Sequence, residues 1–188
     1  ALANSVSTLL FKKNLIKIYE NWYGHAEYNS RFENGIRWNI HATHEDRIPL
    51  ENTFDFSIWG KNKTLLPNHP FELESKPFEK HQAFSAGITL TYQPGQRYIQ
   101  FPNAKMPLGS KYPTLQFEYN KGIKNVFGSD VDYSKWAFLV FDNMNFKIAG
   151  EMKYRFSVGG FINNNNVEIP DLQHFNGNQT IYNSKYLN

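Results

Sequence analysis

The chain has 188 residues and a formal charge of only +3, from 20 Lys and Arg against 17 Asp and Glu. That length gives one domain or part of a larger one, and near-balanced charge without a basic block argues against nucleic acid as a partner. With no cysteine there is no disulfide scaffold, and the longest fully apolar run, Trp136–Phe141, falls far short of the ~20 residues a membrane-spanning helix needs.

Aromatic residues make up 16% of the chain, with 16 Phe, 11 Tyr and 4 Trp. Such an excess suits half-exposed β-surfaces and membrane-interface girdles better than a helical core. If the protein meets a membrane it does so as a barrel, because lipid tolerates only helices and closed sheets. The chain opens Ala1-Leu2-Ala3, with neither an initiator Met nor a signal peptide, and stops at Tyr186-Leu187-Asn188. It reads as a piece of a longer protein, so a missing signal carries no information on location.

Ser5 to Glu20 is the one helix candidate. Val6, Leu9, Leu10, Lys13, Ile16 and Lys17 give a rough helical face, and Ser5 or Ser7 could cap it. Residues 1–22 are therefore expected to be a helical lead-in and residues 23–188 a β-barrel region. The first hairpin runs from Tyr28-Ser30-Phe32 through Glu33-Asn34-Gly35 into Ile36-Trp38-Ile40. A two-residue Asn-Gly loop would set Phe32 against Arg37, whereas a three-residue loop sets Phe32 against Ile36 and keeps apolar opposite apolar. Gly35 is thus expected to be left-handed in a bulged turn.

Further strands are expected at Thr53–Trp59, Gln82–Gln93, Arg97–Phe101, Thr114–Lys121, Lys135–Phe141, Asn145–Ile148 and Glu151–Val158. Tight connections at Glu33-Asn34-Gly35, Pro94-Gly95-Gln96 and Ala149-Gly150-Glu151 alternate with long ones at Gly60–His81, Pro102–Pro113 and Gly122–Ser134. Short turns on one rim and long loops on the other are the habit of outer-membrane barrels. Asn163–Asn166 reads as a loop tip.

Strict two-residue alternation marks these segments. Phe84-Ala86-Ile88-Leu90-Tyr92 faces one way and Ser85, Gly87, Thr89, Thr91 and Gln93 the other; Ile36-Trp38-Ile40-Ala42 and Met152-Tyr154-Phe156-Val158 repeat the pattern. Each is a strand with one dry and one wet face. A soluble sandwich or barrel shows the same alternation with the apolar side inward. Polar faces short of Lys and Glu, and strands near the ~9–11 residues that cross a bilayer at a tilt, favour apolar-out. The rival is a soluble β-barrel or sandwich that binds a lipid or glycan through Trp38, Trp59 and Trp136.

Chemistry-bearing constellations are sparse. His41 and His44 beside Glu45 and Asp46 resemble a metal cluster, but positions i and i+3 of a strand point to opposite faces. His25 and Glu27 share a face, as lumen-lining polar residues also would. Gly128-Ser129-Asp130-Val131-Asp132 resembles an acidic calcium loop without the ligand count or closing Glu, and an Asp turn bonding its own backbone explains it more simply. Asn62-Lys63-Thr64 and Asn178-Gln179-Thr180 match the glycosylation sequon. No phosphate loop, nucleophile elbow or placed carboxylate pair is present. No catalytic, cofactor-binding or metal-ligating residue is assigned, no cofactor is implied, and an enzyme is not expected.

From Thr91 onward several blocks occur in order: Tyr92-Gln-Pro94-Gly95-Gln-Arg-Tyr98, Pro102-Asn103-Ala-Lys105, Leu108-Gly109-Ser110-Lys111-Tyr112-Pro113, Tyr119-Asn-Lys-Gly122-Ile123, Gly128–Tyr133 and Pro170–Thr180. Thr8–Asn14 and Lys17–Glu20 precede them. These blocks resemble the uncharacterised Bacteroidota outer-membrane family that carries a carboxypeptidase-regulatory-like domain ahead of a C-terminal BamA-like β-barrel. The resemblance implies an all-β, antiparallel transmembrane barrel of the cell outer membrane, of which this chain is the first part, with about eight strands. It implies a structural, transport or assembly role in the envelope, with outer-membrane lipid and other envelope proteins as partners. The regulatory-like domain is absent from this chain. Gly109, Gly122, Gly128 and Gly177 match as backbone-geometry positions, and Tyr112-Pro113 as a strand start.

Overall fold

The computed structural model describes residues 2–12, 18–52, 56–59 and 78–172. They form one helix, α1 (Leu2–Phe11), and eight strands: β1 (Tyr19–Arg31), β2 (Ile36–Pro49), β3 (His81–Tyr92), β4 (Arg97–Phe101), β5 (Ala104–Gly109), β6 (Thr114–Gly122), β7 (Asp132–Asn145) and β8 (Glu151–Asn166). Six of them make one sheet in the order β1-β2-β3-β6-β7-β8, and β4 and β5 make a separate two-stranded ribbon. The fold is all-β, and every pairing with an assigned register is antiparallel. Among the described residues β1 and β8 are edges of an open sheet, so no closed barrel is formed by them.

Two compact units emerge. One gathers the described residues within 1–23, 45–82 and 167–188, and the other residues 24–44 and 83–166. In the first, α1 ends where Lys12 turns left-handed (φ 55°) and donates its N–H to the Thr8 carbonyl at 3.0 Å. That is a left-handed helix stop, and the helix expected to run to Glu20 ends at Phe11 instead. From Tyr19 the chain is strand, because Ile18, Tyr19, Trp22 and Tyr23 bring β-branched and aromatic side chains suited to a pleat. Of the strand expected at Thr53–Trp59, residues 53–55 lie outside the described residues, and 56–59 are not strand. Ile58 and Trp59 instead donate their N–H groups to the carbonyls of Leu9 and Leu10, at 2.9 and 3.1 Å.

In the second unit the registers of β3, β6, β7 and β8 stack the apolar alternation into three tiers. These are Ile88–Tyr119–Trp136–Gly160, Leu90–Phe117–Phe138–Val158 and Tyr92–Leu115–Val140–Phe156. On the other face lie Gly87–Asn120–Lys135–Phe161, Thr89–Glu118–Ala137–Gly159 and Thr91–Gln116–Leu139–Ser157. The apolar run of β7 therefore puts Ala137, Leu139 and Phe141 on a face that is polar in β3 and β6. Few side chains are sealed from solvent: the buried apolar residues among those described are Ala83, Val131, Tyr133 and Ile169. Leu90 and Phe156 are exposed and Ile88 and Tyr154 half-buried, so these four are not gathered into a dry centre.

The first hairpin is the three-residue form. Phe32 donates its N–H to the Ile36 carbonyl at 2.8 Å, the Ile36 N–H bonds the Asn34 side chain at 3.2 Å, and Gly35 has φ 85°. A Cβ at Gly35 would also run into the carbonyl oxygen of Gln93. Gly35→Ala is expected to lose at least about 1–2 kcal/mol from the left-handed backbone alone, measured as a lowered thermal midpoint. A result equal to wild type would show that the turn relaxes without cost.

Three expected boundaries shift. The long loop expected at Pro102–Pro113 contains β5, so the Pro94-Gly95-Gln96 turn opens the β4–β5 ribbon rather than the next strand of the sheet. Asn145 belongs to β7, and Lys147–Ala149 is a short 3-10 turn rather than a strand of its own. Asn163–Asn166, expected as a loop tip, is the end of the 16-residue strand β8. The reason is local: Asn163 and Asn165 donate to the Asp132 carboxylate at 3.0 and 2.9 Å, so these polar side chains are bonded across the strand pair.

Candidate functional site

The polar faces of β1 and β2 carry a ladder of bonded side chains in a single register. Next to the turn stand Arg31 and Arg37, one step beyond the Phe32–Ile36 pair. Two residues further, Asn39 donates its amide to Asn29 Oδ1 at 2.8 Å. Asn29 in turn donates to Glu27 at 2.9 Å. His25 Nδ1 lies 2.8 Å from the Thr43 hydroxyl and its Nε2 lies 3.6 Å from Glu27. The rings of His25 and His41 stack with centroids 6.2 Å apart. Strand alternation produces this line of groups, since every second residue of both strands adds to it.

His41 extends the ladder across the sheet. Its Nδ1 lies 3.1 Å from Asn39 Oδ1 and its Nε2 lies 2.9 Å from Asn120 Oδ1 on β6. Gly87 of β3 lies beneath the imidazole, and a Cβ there would stand 2.7 Å from its Cε1 and Nε2. The Gly87–Asn120 register pair thus forms a slot that only a glycine leaves open.

His41 and His44, adjacent to acidic residues in the sequence, are not brought together. His44 Nε2 lies 3.1 Å from the Phe127 carbonyl, while His41 meets Asn120. His25 and Glu27 do meet, with Asn and Thr neighbours. Among the described residues no group of three His, Cys, Asp or Glu is placed to hold a metal. The Gly128–Asp132 segment leaves a turn at Gly128 and enters β7 at Asp132, and in it Ser129 Oγ accepts from the Phe84 N–H at 2.9 Å. Its Asp132 bonds Asn163 and Asn165 rather than its own backbone. Of the two sequons, Asn62-Lys63-Thr64 and Asn178-Gln179-Thr180 both lie outside the described residues, as does Gly177.

A second polar cluster, in the other unit, was not legible in the sequence. Arg47 at the end of β2 is 5% exposed and Asp171 4%, and the two form a bidentate pair at 3.0 and 2.9 Å. Glu45, two residues away on the same strand, also takes the Arg47 Nε at 2.8 Å and accepts from Asn21 at 3.0 Å. His81 Nδ1 lies 2.8 Å from the Glu79 carbonyl, which fixes it as the donor and leaves Nε2 to face Arg47 at 3.4 Å. This is a buried charge network in which every link between side chains runs through Arg47 or Glu45. Its partners are 124 residues apart in the chain, and the only hints were a strand-end Arg after two acids and an Asp after Pro170.

No described helix is long and apolar enough to cross a membrane, a statement that does not bear on strands. The model of one protein family, described as "Family of unknown function (DUF5686) C-terminal domain", matches residues 1–188. No curated protein and no solved structure matches the chain.

Proposed function

The chain belongs to the DUF5686 C-terminal domain family, and from that premise we propose that it forms part of the wall of an outer-membrane β-barrel. On this reading it is a non-enzymatic structural, transport or assembly component of the cell envelope. One observation carries the reading. One face of the sheet is apolar along its tiers and stays open to solvent: Phe156 is 69% exposed, Val158 59% and Ile162 69%. A contiguous apolar face of this sort is costly in water and marks an interaction surface. Hydrocarbon satisfies it, while the bonded ladder on β1, β2 and β6 suits a watery lumen.

The likeness to BamA-type barrels of Bacteroidota rests on the ordered blocks from Tyr92 to Thr180. A barrel needs at least about eight strands, so the six-stranded sheet is one arc, closed by further strands of the same or another chain. Outer-membrane lipid, and other envelope proteins, are the partners this reading names.

The test is reconstitution. The protein folded in detergent is expected to float with lipid vesicles and to stay with them through an alkaline wash, keeping its β-signal. A protein that is monomeric and folded without detergent and leaves the vesicles in the wash would instead be the soluble β-domain, with lipid or glycan binding through Trp38, Trp59 and Trp136.

A further inference from the structure

At the turn end of the polar ladder, Arg31 and Arg37 stand directly across from each other on β1 and β2. The register follows from the Phe32–Ile36 hydrogen bond at 2.8 Å and the Asn29–Asn39 bond at 2.8 Å on either side. Like charges placed opposite in an antiparallel pair repel, and neither guanidinium has a protein partner among the described residues. Both line a cavity of about 230 Å³, together with Gln93, Gln96, Tyr98 and Pro107.

The β4–β5 ribbon builds the far wall. It is tied to the hairpin by an ion pair between Lys105 Nζ and Glu33 at 2.7 Å and by the Tyr98 hydroxyl reaching toward the Phe32 carbonyl at 3.5 Å. Glu33, the acid of the adjoining turn, is thereby matched by Lys105 and does not neutralise the arginines. Gln93 is anchored through its N–H to the Gly35 carbonyl at 3.0 Å and lines the cavity as a neutral residue whose side chain can donate. Two forked cations and an amide lining one space match the oxygens of a phosphate.

We propose that this cavity binds a phosphate ester, with Arg31 and Arg37 clamping the phosphate between them and Gln93 donating a further hydrogen bond. An anion between the arginines turns a repulsive pair into two charge-assisted contacts. The cavity exceeds what a bare phosphate fills, so the group it accepts carries a small polar substituent such as a glycerol or sugar. The site belongs to the polar face and does not depend on what the apolar face meets, so it stands or falls separately from the barrel reading.

Calorimetric titration of the full chain in detergent, with inorganic phosphate and with glycerol 3-phosphate, tests it. Saturable binding of the monoester is expected, tighter than that of phosphate and weakening as salt rises. Arg31→Gln and Arg37→Gln are each expected to weaken it roughly tenfold to a hundredfold, with Arg37→Lys between the variant and wild type because charge survives and the fork does not. Both arginines are exposed, and an unchanged β-signal shows that the variants fold. Phosphate should raise the thermal midpoint of wild type and not of the Gln variants. Phosphatidylcholine vesicles doped with phosphatidic acid separate the sources: displacement of the monoester by doped vesicles assigns a lipid headgroup, and its absence assigns a free ester. No binding of phosphate, monoester or doped vesicles, or equal binding by wild type and both Gln variants, overturns the proposal.

Discussion

Asp171→Ala is expected to cost about 3–5 kcal/mol of folding free energy, the usual result of leaving one partner of a buried ion pair alone. Arg47 and Asp171 are 5% and 4% exposed, so the abandoned guanidinium would have little water to turn to. Glu45 still accepts from Arg47 Nε at 2.8 Å, which places the loss toward the lower end. Against a typical total of about 5–15 kcal/mol, such a loss is a large fraction of the stability. The double variant Arg47→Met, Asp171→Leu is expected to recover much of it, because an apolar pair of similar volume carries no desolvation penalty. Glu45 keeps its Asn21 bond at Oε1 in that variant but loses the Arg47 contacts at Oε2, so the recovery is expected to be incomplete. Urea titration followed by circular dichroism reads both, and a single variant as stable as wild type would show that the network contributes only geometry.

That network also marks the limit of what the residues disclose. Strand alternation is local, and so β3, β6 and the first hairpin, down to the left-handed Gly35, could be read directly from the order of residues. The pairing of Arg47 with Asp171 joins positions 124 residues apart, and no periodicity connects them. The ladder was half legible. His25 and Glu27 share a strand face by parity, but the reach of His41 over Gly87 to Asn120 depends on which strands are neighbours. The errors lie at ends and connections. Lys12 stops the helix through a left-handed backbone that lysine rarely adopts, and the Met106-Pro107-Leu108 stretch hid β5 because proline is excluded from all but edge strands.

The two faces differ in what supports them, which decides where substitutions matter. On the polar side the ladder beyond the two arginines is held by its own side chains: Asn39 by Asn29, His41 by Asn120, and at the far strand pair Asp132 by Asn163 and Asn165. On the apolar side, cross-strand tiers such as Leu90–Phe117–Phe138–Val158 touch along the sheet, yet each of these four stays more than a third exposed. Such tiers add roughly 0.2–1 kcal/mol per cross-strand pair, too little to compensate a wide apolar face left in water.

Val158→Arg and Ser157→Arg, adjacent on β8 with opposite facing, turn that contrast into a measurement. Val158 pairs with Phe138 on the apolar side and Ser157 with Leu139 on the other. In water an arginine at 158, whose native side chain is 59% exposed, should change stability by no more than about 0.5 kcal/mol. If that face meets lipid, the same change is expected to cost about 2–4 kcal/mol near the bilayer midplane. Position 158 is close to the middle of the strand Glu151–Asn166, so the larger figure applies. Ser157→Arg, on the opposite face, is expected to insert as wild type does. Insertion into preformed vesicles, followed by the yield of protease-protected protein, compares the two. Reduced insertion for Val158→Arg alone supports the barrel wall. Equal insertion by both, or a loss in Ser157→Arg alone, would mean that the apolar tiers do not face the hydrocarbon.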